Sequence, residues 1–190
     1  MKPETFGEIF GREIQNSLIL PESESPYFRL SEEILEMASA YRTDGLTFMK
    51  SGDLVNAHAS FAYGFGWLDF GICSGLVKGI KPAERLPLFD ENMPQNILPH
   101  LFEKTDRYNR MLSKAVKSVA VAPDIESPLH SFSESVLENA DNYLISGEMY
   151  LSDENYVNSL AHFSYGYGLL DAAVRCGLMI ITGSRSLFTV

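Results

Sequence analysis

The chain has 190 residues, 45% of them hydrophobic, and a formal net charge of −10 from 25 acidic and 15 basic side chains. That supplies enough apolar material for a core, which argues against disorder. Nucleic acid is a poor partner for it, because a phosphate backbone needs clustered Lys and Arg.

Two cysteines, Cys73 and Cys176, form no C-x-x-C pair and are too few for a disulfide scaffold, so free buried thiols in a reducing compartment are expected. The opening MKPETFGEIF has no apolar signal core, and no run of about 18 apolar residues occurs. These features predict a soluble cytoplasmic protein that neither spans nor needs a membrane.

Residues 4–19 read as a weakly amphipathic helix that stops ahead of Pro21, because the residue before a proline is pushed out of helical geometry. After a Ser-Pro loop, Ile34, Ala38, Tyr41, Gly45 and Phe48 step by four, three, four and three, the spacing of one buried helical face. Ser31 stands where an N-cap hydroxyl is expected, with an acidic residue following it. Gly52 then Asp53 reads as a helix stop and a new N-cap, so a tight turn leads into a third helix over residues 54–74. Gly75 ends that helix.

All of this happens twice. Shifting the chain by 102 positions aligns residues 4–77 with 106–179 without a gap, and 22 of the 74 pairs are identical. Tyr41/Tyr143, Gly45/Gly147, Asn56/Asn158 and Leu68-Asp69/Leu170-Asp171 are among them. A repeat of this kind is read before anything else, because missing it misreads the fold. Residues 1–80 are therefore a first helical unit and 104–190 a second. The connector 81–103 is rich in proline, with no long helix expected across it. The fold class is all-α, two tandem units of a short helix plus a long antiparallel hairpin, with no strand pair.

The third helix contains SFAYGFGWLD, and its twin HFSYGYGLLD. At about 100° per residue, Ala57, Phe61, Phe65, Leu68, Ile72 and Leu76 form a core stripe. A second seam is small: Gly45 is expected to face Ala59 and Ala38 to face Gly66, with Gly147/Ala161 and Ala140/Gly168 in the second copy. Each glycine costs up to about 1 kcal/mol of helix propensity, which close backbone packing would offset. A third, mixed face holds Asn56, Ser60, Tyr63, Trp67 and Ser74, and is the face on which a partner could bind.

The order LEMASAYRTDGLTFMKSGDLVNAHASFAYGFGWLDFGICSGL, and its second copy from Leu137, resembles the archaeal domain-of-unknown-function 357 family, as does the closing SLFTV. The likeness covers most of the chain, twice. It implies a small helical bundle and an archaeal source, and it implies no activity. The second copy departs at the turn, where Glu154-Asn155 replaces Gly-Asp.

Asp69 and Asp171 are the most reactive repeated residues, fit for a general base or a ligand. Beside that reading stands a structural one, with Asp69 next to Leu35 against the first turn of the second helix. Tyr41 with Tyr63, and Tyr143 with Tyr165, should pair across each hairpin. His58 and His162 are not repeated and lie on different faces, so no metal is expected, and no glycine run has the spacing of a nucleotide loop, so no cofactor is.

Two functions remain. The first is a non-catalytic protein-interaction or scaffold module, with protein as partner (self or other), the chain being either a monomer with pseudo-twofold repeats or a homodimer. The second is a small-molecule site or enzyme pocket between the units, lined by Tyr63, Trp67, Asp69, Tyr165 and Asp171.

Overall fold

The computed structural model describes residues 1–80, 86–90 and 93–189; parts of the expected connector, 81–85 and 91–92, and the final residue of SLFTV lie outside the described residues. The first unit consists of α1 (Pro3–Asn16), β1 (Leu18–Ile19), α2 (Pro26–Lys50), α3 (Leu54–Cys73) and β2 (Val77–Lys78). The second repeats it as α4 (Leu98–Val116), β3 (Val119–Val121), α5 (Pro128–Ser152), α6 (Tyr156–Arg175) and β4 (Met179–Ile181). The chain is thus all-α in architecture, with two like units.

The hairpins form as their capping chemistry dictates. Asp53 accepts from the Asn56 amide at 3.0 Å, and Asn155 accepts from the Asn158 amide at 3.1 Å. Gly52 takes the left-handed conformation at φ 81°, and Glu154 takes it too, at φ 60°. A side chain there pays a steric penalty that glycine does not. Glu154→Gly is therefore expected to stabilise the chain by roughly 1 kcal/mol, read as a higher denaturation midpoint with an unchanged slope.

Three expectations are corrected. First, α2 begins at Pro26, not after Ser31: Ser25 caps it, accepting from Tyr27, and Pro26 fills the first position, where no amide hydrogen is needed. Ser31 is a buried mid-helix residue whose hydroxyl lies within bonding distance of two carbonyls, Tyr27 at 2.8 Å and Leu76 at 3.0 Å. The Ser-Pro pair was the true signal, and it recurs at Ser127-Pro128.

Second, strands exist. The ends of the first predicted helices are instead β1 and β3, which pair antiparallel with β2 and β4 in the registers Ile19↔Val77 and Ala120↔Ile180. These tracts are rich in β-branched residues, which favour a pleated surface over a helix end. Each pair ties the exit of a unit's first helix to the exit of its third. Third, α4 starts inside the expected connector, at Leu98, because Pro99 sits in its first turn, where proline is tolerated.

The core lies between the hairpins. Helix α3 is buried almost all round, from Val55 to Ile72, and so is α6 from Val157 to Val174. A helix apolar on every side is an interior helix. Phe6 and Phe10 of α1 meet Phe65 edge-on at 5.1 and 5.5 Å, closing the outer side of α3. The supposedly mixed face of α3 is inside: Tyr63 and Trp67 are 4% and 1% exposed.

The glycines do serve close packing, but against other partners than the small residues expected. A Cβ on Gly45 would stand 2.4 Å from the ring of Phe61, and one on Gly147 would stand 2.4 Å from Phe163. Gly64 and Gly166 admit the Cβ atoms of Tyr41 and Tyr143. Gly66 and Gly168 face the other unit, where a Cβ would lie 2.4 Å from the Tyr165 carbonyl oxygen and 2.1 Å from that of Tyr63. Helices α3 and α6 therefore cross backbone to backbone.

Candidate functional site

At that crossing the repeated tyrosines and aspartates exchange partners. The Tyr63 hydroxyl donates to Asp171 Oδ2, and the Tyr165 hydroxyl donates to Asp69 Oδ2. Each residue makes the same bond that its twin makes, as in an isologous contact between subunits. The expected partner of Asp69, the first turn of α2, is ruled out by the earlier helix start, which places Leu35 in mid-helix. Within each hairpin the aromatic pairs are as read from sequence: Tyr41 and Tyr63 have centroids 4.3 Å apart, and Tyr143 and Tyr165 are 4.4 Å apart.

Burial and the facing Asp171 carboxylate hold the Tyr63 hydroxyl well above its ordinary pKa. Tyr63 is thus held protonated, as a donor to Asp171.

Around this symmetric frame the two halves differ. Over Asp171 lies the C-terminal segment: the Thr189 amide donates to Asp171 Oδ1 at 3.0 Å, its hydroxyl donates to Oδ2, and Phe188 is buried. The Tyr167 hydroxyl holds the Leu187 carbonyl. Trp67 and Met37 line the space beside Thr189, and Arg175 Nε donates to Glu33 at 2.8 Å across the unit boundary. That bond, more than the opposing cost of partial burial, keeps the Glu33 carboxyl below its usual pKa. Only a cavity of about 290 Å³ is left.

Over Asp69 the equivalent positions carry smaller or more polar groups: Leu169 for Trp67, Asn139 for Met37, Ser135 for Glu33 and Cys73 for Arg175. The result is a groove of about 630 Å³, bounded by Asp69 and Tyr165 at the unit contact and by Leu86 and Leu88 of the connector. Cys73 is exposed there, contrary to the buried thiol expected; Cys176 is the shielded one, its thiol pushed up to about 12 by burial. Of the five candidate residues, Asp69 and Tyr165 line the groove, Trp67 lines the smaller twin cavity, and Tyr63 and Asp171 bond to each other on the twin's side of the frame.

Sequence reasoning missed His162, Tyr150, Asn139 and Ser135, which also line the groove. Their signal was departure from the repeat, since their twins are Ser60, Phe48, Met37 and Glu33. His162 has no repeated counterpart and lies on a different helix face from His58, so its spacing points to no site. Among the described residues no group of three His, Cys, Asp or Glu side chains stands close enough to hold a metal ion, and no helix is long and apolar enough to cross a membrane.

Six helices in two like units, with strands confined to two short pairs among the described residues, define a duplicated helical-hairpin protein. The sequence model of the family described as protein of unknown function (DUF357) matches residues 6–77 and again 107–179, and the chain belongs to that family. No curated protein and no solved structure matches it.

Proposed function

We propose that the chain is a non-catalytic binding protein in which the duplicated hairpins form the scaffold and the Asp69 groove holds a small organic molecule. One observation carries this reading: two sites built on the same frame diverge, one narrowed to about 290 Å³ by the chain's own C-terminal segment and large side chains, the other about 630 Å³. The volume of the larger one lies in the range of ordinary ligand sites. Of the face of α3 on which a partner could bind, Tyr63 and Trp67 are buried, while Asn56, Ser60 and Ser74 stay half-buried.

The test is to fill the groove with its twin's residues. A Leu169→Trp, Asn139→Met chain should fold, because both side chains already fit the equivalent frame at Trp67 and Met37. In a thermal-shift screen of metabolites, a compound at about 100 times its Kd should stabilise the wild type by about 2.7 kcal/mol, roughly 5–10 °C, and leave the filled variant unmoved. Equal shifts in both chains, or none in the wild type, would refute the proposal.

A further inference from the structure

Independently of the Asp69 groove, we propose that the end of the bundle where α2 and α5 begin is a docking site for a protein segment that pairs a bulky apolar residue with Lys or Arg. A second cavity, of about 420 Å³, opens there. Its wall comes in twin pairs, Tyr27 with Leu129, Leu30 with Phe132 and Leu76 with Leu178, so it lies across the contact between the units. No Asp, Glu, Lys or Arg is found among the described residues of the lining, and the Cys176 thiol, pushed up to about 12, stays protonated.

The apolar surface does not stop at the cavity. Tyr27 is 55% exposed, Leu129 45%, and Ile125, which stands between the lining residues Pro123 and Ser127, 76%. Large apolar side chains gathered in water around an apolar hollow mark a surface that a partner covers. A small molecule confined to the cavity leaves Ile125 in water, whereas a polypeptide can cover both.

Charge decides the kind of partner. The loops that lead into α2 and α5 carry Glu22 and Glu24 in the first unit and Asp124 and Glu126 at the twin positions, all four exposed. Turns hold them in place: the Ser25 amide donates to the Glu22 carbonyl at 2.9 Å, the Ser127 amide to that of Asp124 at 2.8 Å, and the Glu126 amide to Asp124 Oδ1 at 2.9 Å. The cations nearest to them in sequence, Arg29 and His130, already face carboxylates of their own helices, Glu32 at 3.8 Å and Glu134 at 3.5 Å. An apolar hollow with an acidic margin selects a partner of opposite charge and repels nucleic acid, anionic lipid and, through this same end, a second copy of the chain.

Calorimetric titration of the full chain with three short synthetic peptides tests this: an amphipathic one of Lys, Leu and Trp, the same with every Lys made Glu, and the same with every Leu and Trp made Ser. The first should bind, and each of the others should bind about tenfold more weakly or not at all. Tyr27→Ser with Leu129→Ser should weaken the first peptide about tenfold, and so should Glu22→Lys with Glu126→Lys. Both pairs lie on the surface and leave the core as it is. Asp44→Lys with Glu148→Lys, the same change of charge at exposed positions toward the other ends of α2 and α5, should leave the peptide bound. The proposal is overturned by a first peptide that does not bind, by a Glu or Ser peptide that binds as tightly, or by equal weakening from the two charge reversals. A concentration-dependent dimer in sedimentation that Tyr27→Ser with Leu129→Ser dissolves would overturn it too, and would give the face to a second copy. The Leu169→Trp, Asn139→Met chain should take the peptide as the wild type does, so failure here and failure of the Asp69 groove as a ligand site are told apart.

Discussion

Gly168→Ala is expected to lower the stability of the chain by about 3 kcal/mol, although it adds one methyl group to a helix that would otherwise welcome alanine. The added Cβ would lie 2.1 Å from the Tyr63 carbonyl oxygen and 2.9 Å from its carbonyl carbon. These are backbone atoms of α3 and cannot rotate away, so α3 and α6 would have to separate. Separation also stretches the reciprocal Tyr63–Asp171 and Tyr165–Asp69 bonds, which are buried and charge-assisted.

Gly52→Ala is the control. It strains a φ of 81° but meets nothing within 4 Å, and should cost only about 1 kcal/mol. Urea denaturation of both variants decides the matter. Equal losses at the two positions would show that the α3–α6 crossing gives way easily and that the units do not depend on close backbone approach.

That crossing also marks where the sequence stopped being legible. Contacts within a unit follow from helical periodicity and capping, so the third-helix limits, the Gly52 turn and the Tyr41–Tyr63 pairing were all readable from local spacing. Contacts between units depend on a crossing geometry that no local pattern encodes.

A trace of it was present nonetheless. Gly64 and Gly66 lie about 200° apart around α3, so the helix is thinned on two opposite sides, as one sandwiched between neighbours must be. One glycine admits Tyr41 of its own hairpin and the other admits α6. Helix α3 also carries a single charged residue, Asp69, in 20 positions, which leaves it no face for water.

The groove was legible only as a difference. Identical pairs point to Asp69 and Asp171, whereas the larger groove is defined by the pairs that differ, such as Leu169 against Trp67. A duplicated frame fixes its own packing through what the copies share. It can differentiate only where they diverge, and in this chain that includes His58, His130 and His162.

His58 supplies the second large effect: stability should fall by about 3 kcal/mol as pH drops from 7 to 4. Its ring is fully buried, edge-on to Phe89 at 4.4 Å, with Nε2 2.9 Å from the Val157 carbonyl oxygen of the other unit. Since that oxygen can only accept, Nε2 carries the hydrogen, and Nδ1 faces no partner among the described residues. A proton added at Nδ1 would be an uncompensated buried charge, and burial lowers the pKa from 6.5 to about 4.

The folded pKa lies below the unfolded one, so between those values the unfolded chain binds the extra proton. Stability therefore declines as pH falls through 6.5, by up to about 1.4 kcal/mol per unit, and levels off below about 4. His162, lowered in the same direction, adds to the slope. Glu33 and Asp53, whose hydrogen bonds outweigh the opposing effect of burial, contribute chiefly below pH 4.5.

Replacing His58 by Leu, which the second unit carries at position 160, should flatten the urea-midpoint profile between pH 6.5 and 4.5 to what His162 leaves. Parallel profiles for the two chains would mean that His58 takes up its proton in the folded state, and that the Val157 contact between the units opens to let it in.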